Sequence, residues 1–315
     1  MRPAFSVLLL TTLLGAGQGL AMVLVGIDIA GLFAAPLAGQ HVLLGVGAAV
    51  SFVLAGCGLL ASFFHLGHPE RAWRAIAGWR TSWLSREVIV LPLFMAAVAA
   101  WGMTRWSAPA GALWPPGVVL ALGLLVVVLS LALFVCTGMI YAAVKVMREW
   151  ASPLTVVNYT TLGTASGATL AAALAAFLAP DYLAVLVPLA AALTVVGALT
   201  RLAAARRNAR LAPRSTLQTA IGIRHPQIVQ KAQGAMGGSF NTREFFHGAS
   251  TRTFMAVRRG FPWLAFVVPL LLLSTGGALA LALAFALQWI GLLAERWFFF
   301  AQANHPQNLY YQSVA

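Results

Sequence analysis

The stretch SFFHLGHPERAWRAI, from Ser62 to Ile76, sets two histidines, a glutamate and two arginines directly after a long apolar run. The next apolar run opens with TSWLSREV, which supplies Arg86 and Glu87, and the run after that has Tyr141 near its end. A histidine, a carboxylate, a phenol and guanidinium groups at the ends of greasy segments suit the chemistry of a quinone. Such a ring needs a hydrogen-bond donor at each carbonyl oxygen, and its reduction takes two electrons and two protons. His65 can serve as donor, and Glu87, linked to water, can relay protons. His65 and Glu87 are therefore the candidate catalytic pair, with Gln18, Arg86 and Tyr141 completing a candidate quinone pocket. Each also has a structural alternative. His65 can meet the last carbonyls of its own helix, and Glu87 suits a helix N-terminus. Gln18, in the middle of an apolar run, can equally bridge two helices.

These residues need positioning, and the composition says by what. Of 315 residues, 61% are hydrophobic and 9% are charged, with a mean hydropathy of +0.87. A soluble domain carries about a quarter charged residues. The chain reads as one all-α, polytopic membrane domain over residues 1–315. A span needs roughly 20 apolar residues, and such runs lie near 5–27, 42–64, 87–104, 117–143, 153–178 and 182–200. Residues 261–294 hold no charge over 34 residues, about 50 Å of helix at 1.5 Å per residue, too long for one span. Ser274-Thr275-Gly276-Gly277 supplies a turn. That breaks the run into spans at 255–274 and 278–299 and makes eight transmembrane helices.

With eight spans, 19 of the 20 basic residues fall on one face and only Arg105 on the other. Positive charge marks cytoplasmic loops, so both termini and the HLGHPERAWR segment are expected in the cytoplasm, across a bacterial inner membrane. The net charge of +13 thus reads as orientation, and no nucleic acid is expected. The polar segment at about 201–254 is the one sizeable cytoplasmic loop. It offers a docking surface for a cytoplasmic partner through Arg224, Phe245 and Phe246, joined by Arg71, Arg74 and Arg80 from the loop before the third span. Lipid headgroup contact is the alternative for these arginines. Cys57 and Cys136 lie far apart in apolar runs and fit packing, not an iron–sulfur cluster or other metal site. No histidine sits mid-span, so no haem is expected.

The block SFFHLGHPERAWRAIAGWRTSWLSREV resembles the membrane-anchor subunit of the dimethyl sulfoxide reductase type, within the wider NrfD-like family of quinone-reactive anchors. The resemblance rests on His65-Leu66-Gly67, Pro69, Arg71 and Ser85-Arg86-Glu87, on the eight spans, and on the late pair Glu295-Arg296. It implies an anchor that holds a molybdopterin catalytic subunit and a ferredoxin-like iron–sulfur subunit. Molybdopterin and clusters would sit on those partners only, and this chain would exchange electrons with ubiquinone or menaquinone. In that family the residues matching His65 and Glu87 are associated with quinol binding. One departure matters. The block is periplasmic in the dimethyl sulfoxide reductase anchors, whereas the charge bias here makes it cytoplasmic. The chain, including its MGGSFNTREFFHG segment, is thus similar to the branch serving cytoplasmic sulfite dehydrogenases (SoeC-type). Electrons would run from a sulfite-oxidising partner to quinone. One rival keeps the anchor and reverses the current, oxidising quinol for an S- or N-oxide reductase. The other is a multispan transporter or scaffold, which the scarcity of intramembrane acids and the lack of an internal repeat disfavour.

Overall fold

The computed structural model describes residues 1–33, 35–106, 114–212, 215–229, 231 and 245–310. Among these the regular structure is all helix with no strand, and eight helices are long and apolar enough to cross a membrane. They are α1 (Phe5–Ala30), α2 (Gln40–Phe63), α3 (Trp83–Trp106) and α4 (Pro116–Ala142). They continue as α5 (Pro153–Leu178), α6 (Leu183–Ala209), α7 (Thr251–Leu273) and α8 (Ala278–Ala301). Helices are what an apolar chain must form in hydrocarbon, where each backbone N–H and C=O needs a partner within its own segment. Proline opens α4 and α5 at the first helical turn, where a missing N–H costs nothing. Between α7 and α8 the chain reverses at residues 274–277, with Gly276 at φ 68°, a left-handed conformation that glycine takes freely.

Three boundaries differ by four residues or more from the sequence expectation, one of them the start of α7 at Thr251 instead of 255. α3 starts at Trp83 instead of Glu87, so Glu87 stands one turn inside the helix and is buried. α6 continues to Ala209 instead of stopping near 200, because TRLAAARRNA is rich in strong helix formers. The polar connection therefore starts at Arg210, and Arg201 belongs to the membrane bundle. Within that connection only a short helix, Leu217–Ile221, is regular among the described residues. The part of MGGSFNTREFFHG at 236–244 lies outside the described residues.

α1 is the central helix and packs against α2, α4, α5 and α8. Its closest approach is to α5, which it meets backbone to backbone. Gly15 and Gly19 on α1 face Gly163 and Gly167 on α5. A Cβ added at Gly19 would stand 2.3 Å from the Gly163 carbonyl oxygen, and one at Gly167 would stand 2.1 Å from the Leu20 nitrogen. This is small-residue packing of the kind membrane helices use when lipid offers no hydrophobic drive. Between α2 and α3, Pro69–Gly78 forms a 3-10 helix with no buried residue. Its Trp73 and Ile76, with Trp79 just beyond, are exposed, as suits a segment lying along a membrane surface. The Met1 amine donates to the Ala303 carbonyl oxygen at 2.9 Å, and Ser6 Oγ lies 3.2 Å from His65 Nδ1. The start of α1, the end of α2 and the end of α8 thus share one face.

Candidate functional site

His65 lies just past the end of α2, with its side chain exposed at the start of α1. Apolar surroundings lower its pKa below the usual histidine range, so at neutral pH the ring is uncharged and offers one N–H. The apolar side chains Phe63 and Phe64, which precede His65, and Leu84 near the start of α3 are exposed.

Glu87 is in a different environment. Its side chain is 6% exposed and accepts a hydrogen bond from the Thr137 hydroxyl of α4. No Lys, Arg or His among the described residues pairs with it. Arg86, its neighbour in sequence, points back along the surface. It donates to the carbonyl oxygens of Trp79 and Arg80, both at 2.9 Å, and lies 4.2 Å over the Trp83 ring. Arg86 thus fixes the end of the connecting loop. Tyr141 stands one helical turn beyond Thr137 on α4 and so shares its face. It stacks on Tyr159 of α5 with ring centroids 5.7 Å apart and planes 13° from parallel. Trp150, Phe299 and Phe300 meet it edge-on.

Gln18 goes elsewhere. It is buried, and its amide nitrogen donates to the Ser130 carbonyl oxygen at 2.9 Å, joining α1 to α4. It stands about 20 Å along α1 from its start, deep in the bundle and far below the level of His65. The structure therefore places Glu87 and Tyr141 on the inner walls of α3 and α4, and His65 and Arg86 at the surface. Of the expected docking residues, Arg71 and Arg74 are exposed on the 3-10 helix Pro69–Gly78, and Arg80 and Arg224 are exposed in loops. Arg74 and Arg80 lie over the rings of Trp73 and Trp79, and Arg71 lies 3.5 Å from Glu70. Phe245 stacks on His305 at 3.9 Å. Phe246 lines a cleft of about 800 Å³ with Arg2, His247 and Trp297.

The strongest buried polar cluster was only half legible in the sequence. Arg201 of α6 donates from Nε to Glu295 Oε1 of α8 at 2.5 Å, and Arg296 Nε lies 3.3 Å from Glu295 Oε2. The Arg296 guanidinium carbon sits 3.8 Å from the Tyr159 ring centroid, a cation–π contact. The pair Glu295-Arg296 stood out as charge in an apolar helix. Arg201 did not, because it looked like the first residue of a loop. The available signal was that two charges inside a span demand a partner. At the opposite face, Arg105 pairs with Asp28 at 2.9 Å, and the Trp101 indole also donates to Asp28, at 3.0 Å.

Comparison with known proteins adds the lineage. Residues 3–274 match the family described as DMSO reductase anchor subunit (DmsC). The chain is also 53% identical, over its whole length and that of the relative, to the C subunit of the sulfite dehydrogenase of Allochromatium vinosum. No solved structure matches it.

Proposed function

The chain belongs to the DMSO reductase anchor subunit family, and from that premise we propose that it holds a sulfite-oxidising complex on the cytoplasmic face of a bacterial inner membrane and passes its electrons to membrane quinone. The anchor role in an oxidoreductase complex follows from the family and from the full-length relative. The partners would be a ferredoxin-like iron–sulfur subunit and a molybdopterin catalytic subunit, docked over the loop carrying Arg71, Arg74 and Arg80 and over Arg224, Phe245 and Phe246.

The observation that carries the quinone reading is Glu87. A carboxylate buried in a membrane helix, held by one hydroxyl and by no cation among the described residues, is costly. Such a group suits a site that takes up and gives out protons. The residues at this end of the bundle, buried Glu87, Thr137 and Tyr141 and surface His65, have the chemistry a quinone needs. Thr137 fixes one carboxylate oxygen, Tyr141 gives an aromatic wall, and neutral His65 offers an N–H at the membrane surface. Exposed Phe63, Phe64 and Leu84 leave the approach to lipid apolar. A quinone bound there supplies two-electron, two-proton chemistry within the lipid phase. His65 would hold a carbonyl oxygen, Glu87 would deliver protons drawn from the cytoplasm, and Arg86 would keep the loop in register.

The test is sulfite-dependent quinone reduction in membranes with and without this chain. Activity that vanishes without the chain supports the reading. If sulfite is inert while an added S-oxide consumes quinol, the current runs the other way. A reporter fused after Ala315 should read cytoplasmic, and a periplasmic signal would overturn the orientation.

A further inference from the structure

The cluster of Arg201, Glu295 and Arg296 has more hydrogen-bonding capacity than its members use. Arg201 Nη2 and Asn158 Oδ1 are buried with no hydrogen-bond partner among the described residues, and Glu295 Oε2, although 3.3 Å from Arg296 Nε, also makes no hydrogen bond there. The three residues come from α6, α8 and α5, are 4%, 1% and 5% exposed, and line one narrow cavity of about 10 Å³. That is room for a single small molecule. Buried polar atoms in proteins are nearly always satisfied, and three unsatisfied ones around a shared space point to a shared ligand.

The geometry points to one bound water: we propose that this cavity is a water site built into the bundle, and that the water donates to Glu295 Oε2 and Asn158 Oδ1 and accepts from Arg201 Nη2. The stoichiometry chooses the ligand. The site offers one donor and two acceptors, and water supplies two donors together with acceptor lone pairs. A chloride ion only accepts. It would satisfy the guanidinium while lying against a carboxylate and an amide oxygen, and Glu149 lines the same space. A metal cation would suit the oxygens but would face two guanidiniums. Arg207, the other cation on the lining, is already committed to the carbonyl oxygens of Arg148 and Ala151, each at 3.0 Å.

The water would tie three helices together at one point. It would also fix Glu295, which holds Arg296 over Tyr159, and Tyr159 backs Tyr141. That last consequence, positioning the α4 wall, rests on the proposed quinone site, while the water site itself does not.

The experiment uses the full chain purified in detergent, and none of its readouts involves quinone, so it stands or falls separately from the proposed function. A cryo-EM map should show one rounded density about 3 Å from each of the three atoms. The Tm should be the same in chloride and in gluconate at equal ionic strength. Asn158→Leu, which removes an acceptor and crowds the cavity, should lower Tm by several degrees. A Tm that climbs saturably with chloride would replace the water with an anion. A map with no density there would overturn the proposal, as would an unchanged Tm in Asn158→Leu. If that variant does not fold, the map and the salt comparison on the unaltered chain decide the matter.

Discussion

Glu87 and Glu295 are both carboxylates buried in membrane helices, and they are held in opposite ways. Glu87 has one hydroxyl partner and, among the described residues, no cation. Glu295 lies between two guanidiniums. The second arrangement keeps a fixed negative charge in place and links α6 to α8. The first leaves a group able to change its proton content without breaking an ion pair. In one bundle, then, the same side chain serves as a structural clamp at one place and as a candidate proton carrier at another. The difference is set by the partners: one cation from α6 and one from its own helix for Glu295, and a single hydroxyl from α4 for Glu87.

The comparison can be broken by experiment. Glu295→Gln strips the charge that neutralises two buried arginines, and removing one partner of such a cluster costs about 3–5 kcal/mol. Little folded chain should remain in the membrane by immunoblot. Glu87→Gln should leave the chain and its complex at normal levels while quinone turnover falls at least about 100-fold, the scale of a lost general acid–base. If Glu87→Gln also loses the folded chain, the two carboxylates do not differ in kind. Thr137→Val removes the one hydrogen bond to Glu87. It should slow quinone turnover about tenfold, the cost of a hydrogen bond to a charged group, and move the pH profile of turnover with little change in Tm. His65→Ala should lower turnover with unchanged assembly, since its side chain is exposed.

The smallest effect lies at the chain's start. Burial lowers the Met1 amine pKa from 8.0 to about 6. Between pH 6 and 8 the unfolded chain therefore binds more protons than the folded one, and stability rises with pH across that window, flattening above 8. Tm measured at pH 6 and pH 8 should show that rise, and a chain extended before Met1 should show less of it.

The sequence displays what is local. Eight apolar runs and the Ser-Thr-Gly-Gly turn mark the spans, because the demand for backbone pairing in lipid acts on each segment alone. The position of His65 at the end of its span was legible for the same reason, whereas Glu87, read as the first residue of its span, stands one turn inside α3. What pairs across helices was not. Arg201 could be read as a loop residue because its partner lies far along the chain in α8. Gln18 could be read as a pocket residue because nothing nearby announces the Ser130 carbonyl. Gly15, Gly19, Gly163 and Gly167 look like ordinary small residues until α1 and α5 are laid against each other.

That glycine crossing has a consequence for biosynthesis. α1 leaves the ribosome well before α5, yet the surface it fits most closely belongs to α5, some 140 residues later in the chain. Until α5 enters the bilayer, the notched side of α1 lacks the surface it fits, although α2 and α4 can already cover its other sides. Closure around α1 is therefore a late event in insertion, and a chain cut short before α5 would leave its first helix without the partner it was shaped to meet.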